Sequence, residues 1–201
     1  MIRLTLYHAS EHIVDIPSIE FPGPRDNCDF GSGFYLAESK QTAEEWVIRK
    51  PTPVINVYRF EAPEKDLLYL GGTDWVKVIV GFRANRYKVK LKSPVICGPI
   101  ANDRMNVALP LFLNGIIGDL RLLKCLDYCK LGDQYLIRRM TGSLSFERSY
   151  SLKGQELQRA WDRWQARRRD MNAELLKIQR NSIAGEKFID DYLEEGDYLE
   201  P

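Results

Sequence analysis

Hydrophobic and polar positions alternate from Ile2 to Tyr7, a period of two that predicts a strand ending at His8. Glu11 to Phe30 has no such period and carries Pro17, Pro22, Gly23 and Pro24, which predicts a surface loop. Gly33 to Ala37 reads as a second strand. Ser39 is placed to cap a helix of about ten residues with Ala43, Trp46 and Val47 on one face, and Pro51 and Pro53 stop it. Val54 to Phe60, rich in β-branched and aromatic residues, reads as a strand. Thr73 can cap a short helix bearing Trp75, Val76, Ile79 and Val80, and Pro94 to Ile100 is a short apolar strand. Two helices follow, around Val107 to Leu113 and from Leu120 to Leu131, the second with Asp119 as cap and Gly132 as stop. Gln134 to Arg138 and Ser143 to Phe146 read as strands paired around Thr141-Gly142.

Beyond a boundary near residue 150 the pattern changes. Leu157, Trp161, Trp164, Met171, Leu175 and Ile178 recur at helical spacing, which predicts a helix of about 25 residues with one apolar stripe. Such a stripe must be covered, either by the chain's own surface or by another chain, and docking of a partner is the expectation. After Gly185 the chain carries seven Asp or Glu against one Lys, with Phe188, Ile189, Tyr192, Leu193, Tyr198 and Leu199 interleaved. Two units are therefore expected, residues 1–150 and residues 151–201.

Composition narrows the classes. The 201 residues are 44% hydrophobic and 28% charged, enough to bury a core, and the net charge of +1 excludes a histone-like basic protein. Residues 1–154 carry 21 basic and 17 acidic side chains, net +4, whereas residues 155–201 carry 8 and 11, net −3. The longest apolar stretch, Val107 to Ile117, is broken by Pro110 and Asn114 and is too short for a bilayer, so no membrane partner is expected. Met1 to Ser10 does not read as a signal peptide. Cys28, Cys97, Cys125 and Cys129 form no Cys-x-x-Cys pair and read as the reduced thiols of a cytoplasmic protein.

Two segments carry candidate chemistry. Phe30-Gly31-Ser32-Gly33-Phe34-Tyr35-Leu36-Ala37 lets backbone approach a ligand closely, with an aromatic directly after the glycines. It reads either as a binding turn or as a glycine-bearing entry to a strand with Tyr35 in the core. It has no Gly-Lys-Ser/Thr and lacks the spacing of a dinucleotide fingerprint. Leu6-Tyr7-His8-Ala9-Ser10 places His8 at a strand end, as a structural hydrogen-bonder or a reactive group. His8 and His12 are four residues apart in a segment that is not helical, with no third ligand, so no metal is expected.

Together these segments resemble the ADP-ribosyltransferase superfamily of the diphtheria-toxin and poly-ADP-ribose-polymerase type. That superfamily uses a His on its first strand, a Tyr in a Gly-x-Gly-aromatic-Tyr segment and a Glu on a later strand. The chain resembles more closely still an uncharacterised bacterial family within it. The shared motifs are Tyr7-His8-Ala9-Ser10, Asp29 to Tyr35, Gly98 to Asp103, and Asp133-Gln134, over about residues 3–146. The resemblance implies an α+β fold with a split, mostly antiparallel sheet, helices and an NAD cleft, plus the C-terminal helical extension. It implies that His8 bonds the adenosine ribose and that the backbone of Ala9 meets the nicotinamide amide. Tyr35 would stack on nicotinamide, with Trp46 on its other face. Phe30, Gly31, Gly33 and Phe34 would line the cleft, and Arg25 would meet the pyrophosphate. Gln134 stands at the position of the usual Glu, with Asp103 as the supporting acid.

The function implied is mono-ADP-ribosyl transfer from NAD to a protein or nucleic-acid acceptor. In a bacterial cell this would be the work of a toxin or defence effector, restrained by an antitoxin or other regulatory protein on the C-terminal helix. An NAD-binding module of weak activity and an NAD glycohydrolase are the alternatives. The cations Arg83, Arg86, Lys88, Lys90 and Lys92 read as a nucleic-acid path or as a protected strand edge.

Overall fold

The computed structural model describes residues 1–17, 28–85, 88–101, 107–193 and 198–199. Its fold is α+β. The strands are β1 (Ile2–Ser10), β2 (Phe34–Ala37), β3 (Val54–Ala62), β4 (Leu67–Tyr69), β5 (Val89–Lys90), β6 (Val95–Pro99), β7 (Asp133–Ile137), β8 (Ser143–Ser151) and β9 (Tyr198–Leu199). The helices are α1 (Lys40–Val47), α2 (Gly72–Ala84), α3 (Ala108–Leu113), α4 (Asp119–Cys129), α5 (Gly154–Arg180) and α6 (Ile189–Leu193). Among the described residues, seven strands make one sheet in the order β4-β6-β7-β2-β1-β3-β8. All its pairings are antiparallel except β4 with β6. β5 and β9 form a separate parallel pair.

Alternation along the strands divides the interior into two cores. Leu6, Phe34, Leu36, Tyr58, Phe60, Tyr135 and Ile137 form one cluster, while Ala37, Ile55, Val57, Ile96 and Leu136 join the other with residues from all six helices. The first cluster sits inside a curl of the sheet. Phe60 on β3 and Tyr135 on β7 are three strand spacings apart, about 14 Å on a flat sheet, yet their ring centroids are 6.3 Å apart.

The curl explains a departure from the sequence reading. The strands expected to pair around Thr141-Gly142 do not pair with each other. β7 has both edges taken by β2 and β6, so β8 crosses to the edge of β3. The chain from Ile137 to Ser143 spans at most about 21 Å, so four strand spacings, about 19 Å, come within its reach only when nearly extended or when the sheet curls. Smaller corrections concern element ends. β1 runs past His8 to Ser10. Gly71, not Thr73, caps α2, and Gly118 precedes Asp119 at the start of α4. The basic stretch is not one strand edge, because Arg83 lies in α2 and pairs with Asp29. The expected Ser39 cap is present, its hydroxyl accepting from the Thr42 N–H. Among the described residues no helix is long and apolar enough to cross a membrane. None of the four cysteines is in a disulfide, and burial pushes the Cys97 and Cys125 thiols up to about 12.

The apolar stripe of α5 meets this chain's own domain, the first of the two covers that the sequence left open. Trp164, Met171, Leu175 and Ile178 are buried in the helix-side core against α1 and α4. Arg163–Glu44 at 2.6 Å and Arg167–Glu45 at 3.2 Å bind α5 to α1, and the Arg49 guanidinium lies 4.5 Å from the Trp164 ring centroid. The start of the acidic tail, through α6, docks as well. Tyr192 is 1% exposed and its hydroxyl donates to Asp119 Oδ2 at 2.6 Å. Glu186 takes two bonds from Arg121, both at 2.8 Å, with the side chains 8% and 5% exposed, and accepts from the Gly118 N–H.

Burial alone would raise the Glu186 carboxyl, but the Arg121 hydrogen bond and the Ile183 and Gly118 N–H groups leave it below its ordinary 4.5. A depressed folded value means that its contribution is present above the unfolded value and is lost as pH falls through the folded one. Removing one member of a buried pair leaves the other charge uncompensated, so Glu186→Ala is expected to lower unfolding free energy by about 3–5 kcal/mol. Urea denaturation of the full chain measures this, and Glu186→Gln is expected to flatten the loss of stability below about pH 4.5.

Candidate functional site

The site is built where β1, β2, β6 and β7 come side by side. Tyr7 pairs with Ala37, Ala37 with Gln134, and Gln134 with Gly98, which makes one row across four strands. Side chains alternate faces along each strand. Tyr7, Ala9 and Tyr35 pack on the helix side, and Gln134 shares that side with Leu136. His8 lies on the opposite face, its ring stacked on Phe34 with centroids 4.5 Å apart.

The ladder between β1 and β2 consists of the single pair Tyr7–Ala37 among the described residues. Past it a side chain replaces the backbone donor: His8 Nδ1 lies 2.8 Å from the Tyr35 carbonyl oxygen. A carbonyl only accepts, so Nδ1 carries the proton. Ala9, two residues beyond Tyr7, pairs with Ile55 of β3 and has no ladder pair with β2 among the described residues.

The glycine turn folds over the helix-side face. The Tyr35 hydroxyl donates to the Gly31 carbonyl at 2.7 Å and accepts from the Phe30 N–H at 3.0 Å. Burial pushes this phenol well above its ordinary value, so it stays protonated. Gly31 at φ +84° and Gly33 at φ +153° occupy backbone regions that side chains disfavour. A Cβ on Gly33 would lie 2.7 Å from the Ile137 carbonyl oxygen, so the glycine also lets β7 close onto the turn. Phe30 and Phe34 are each 1% exposed and sit in different cores.

One carboxylate gathers four segments. Asp29 is 8% and Gln134 4% exposed. Gln134 Nε2 donates to Asp29 Oδ2 at 2.6 Å and approaches the Pro99 carbonyl at 3.4 Å. The Ala101 N–H donates to the same Asp29 oxygen at 3.4 Å, and Arg83 lies 3.6 Å from the other. Asp29 is the residue that sequence reasoning missed as a site residue. Its signal was its place at the head of the Asp29-Phe30-Gly31 segment. Asp133, the neighbour of Gln134, faces the other way, towards Cys97.

The remaining expected site residues are placed as follows. Trp46 on α1 is half-buried against the helix-side core. Arg25 and Asp103 lie outside the described residues. The structure brings Tyr35, Gln134, Phe30 and Gly31 together on one face and joins His8 to them through the strand backbone rather than through a shared side-chain cluster.

Residues 4–143 match a family described as a protein of unknown function, DUF3990. The chain belongs to this family. No curated protein and no solved structure matches it. The DUF3990 match holds all four motifs and ends at the first residue of β8, so α5, α6 and the rest of β8 lie beyond it.

Within the DUF3990 part, the Tyr35 hydroxyl is the latch on the glycine turn. Tyr35→Phe leaves the Phe30 N–H and the Gly31 carbonyl without that partner. The expected cost is about 1–3 kcal/mol of unfolding free energy, read by urea denaturation. Unchanged stability would show that the latch contributes nothing.

Proposed function

We propose that this protein transfers ADP-ribose from NAD to a macromolecular acceptor, using an ADP-ribosyltransferase-like site at the junction of β1, β2 and β7. The observation that carries the reading is the meeting of four segments distant in sequence. His8 is bonded to the Tyr35 carbonyl, Gln134 to Asp29 and Pro99, and Ala101 to Asp29. These are the four motifs that resemble the superfamily, and their residues touch.

In this reading the backbone of Ala9, which has no ladder pair with β2, meets the nicotinamide amide, and the Tyr35 ring orients the nicotinamide. The bond from ribose C1′ to the nicotinamide nitrogen breaks, and nicotinamide leaves with the electron pair. Positive charge grows on the ribose, and a preorganised carboxylate stabilises it. Asp29 supplies that charge from behind Gln134. With Nε2 held on Asp29, Gln134 presents Oε1 to the ribose 2′-OH. The acceptor nucleophile then attacks C1′ and loses its proton. The Asp29–Gly31 turn covers both Tyr35 and Gln134, so substrate entry requires the turn to lift. The Arg83 guanidinium beside Asp29 offsets part of its charge, which favours the second reading, an NAD-binding module of weak activity. A transferase of this kind acting inside a bacterial cell would serve as a toxin or defence effector.

Incubation of the full chain and a cell lysate with labelled NAD, followed by nuclease or protease digestion, tests the reading. Label in a macromolecule is the expected result. Free ADP-ribose alone means hydrolysis, and no NAD binding by heat shift overturns the assignment. Asp29→Asn is expected to lower nicotinamide release about 100-fold or more, and Tyr35→Ala about tenfold or more. Circular dichroism checks that both variants remain folded.

A further inference from the structure

A concavity lies away from the motif residues. It has a volume of about 690 Å3 and is walled by α1, by the end of β8 and by the first turns of α5. This volume falls in the range of small-molecule sites. Lys40, Arg148, Arg159 and Arg163 line it against the carboxylates of Glu44 and Glu156. Glu44 is already engaged by its own walls. It accepts from Arg163 at 2.6 Å and from the Tyr150 hydroxyl at 3.2 Å, with the Lys40 ammonium 3.7 Å away.

Arg148, from the strand wall, and Arg159, from the helix wall, are both exposed. Among the described residues neither side chain has a hydrogen-bond or ion-pair partner. Two guanidinium forks on opposite walls of one groove present the planar donor pattern that matches phosphate oxygens. Tyr150 and Leu152 also line the groove and add aromatic and apolar surface.

We infer that this groove binds the phosphate ester of a nucleotide, either free or within an exposed single strand, with Arg148 and Arg159 as its anchors. The site is separate from the one built around Tyr35. Ala9 pairs with Ile55 and Ile55 with Tyr150, so the groove lies three strand positions from Tyr35, about 14 Å along the sheet. Arg148, Arg159 and Arg163 also lie beyond the residues that match the family. The inference holds whether or not the chain turns over NAD, and its test uses no NAD.

The test is fluorescence anisotropy of a short labelled single-stranded oligonucleotide with the full chain at low ionic strength, with AMP as unlabelled competitor. Binding that weakens with added salt is expected. The double variant Arg148→Glu with Arg159→Glu is expected to weaken it at least about tenfold. Lys124→Glu with Lys177→Glu, of equal charge change in a different concavity, is expected to leave it unchanged. Displacement by AMP at comparable affinity would identify the nucleotide phosphate itself as the ligand; binding that AMP does not displace would identify the strand. No binding at low salt, or equal weakening by both double variants, would overturn the inference. So would full binding by Arg148→Gln with Arg159→Gln together with the glutamate pair.

Discussion

A carboxylate taken out of water must be surrounded by donors, and Asp29 meets that demand with groups from three parts of the chain. Gln134 from β7, the Ala101 N–H after β6 and Arg83 from α2 all converge on it. The next residues, Phe30 and Gly31, are tied to the Tyr35 hydroxyl. The buried acid therefore sets where the glycine turn lies, and the turn sets what covers Tyr35 and Gln134. A single satisfied charge links the loop, two strands and a helix, and the proposed chemistry uses that same charge.

The sheet must also present two different faces to two cores. Its curl closes an aromatic cluster on the inside and leaves the outside for helices. β7 and β8 can then be joined by a short connection although three strands separate them. The C-terminal part is fastened to the outside by paired charges as well as by apolar burial. Arg121 and Glu186 hold the tail, and Arg163 and Arg167 hold α5 to α1. Docking of α5 also creates the cationic groove, because α5 supplies the wall that faces β8.

Local signals carried most of the elements. The period of two marked β1, Ser39 marked the start of α1, and the tryptophan stripe marked α5. The strand pairing was less legible. Adjacent strands with a turn between them read as a hairpin, and nothing local reports that both edges of β7 are already occupied. The partner of the α5 stripe was equally hidden, since an amphipathic pattern states that a face is covered without stating by what. In the site, the motifs gave Tyr35 and Gln134 roles, whereas Asp29 stood at the head of a motif without one. Its role depends on contacts with residues 72 and 105 positions away, and only the folded chain brings those together. The opposite facing of His8 and Tyr35 follows from alternation and register, and the register of β2 against β1 is a tertiary property.

The central claim is that the junction of the four motifs is where NAD binds. Hydrogen–deuterium exchange of the full chain with and without saturating NAD tests it most directly. The account expects slowed exchange at the Ala9 edge of β1 and through the Asp29–Tyr35 segment, whatever happens in the β8–α5 groove. Protection confined to residues 148–163, or no protection anywhere, would contradict it.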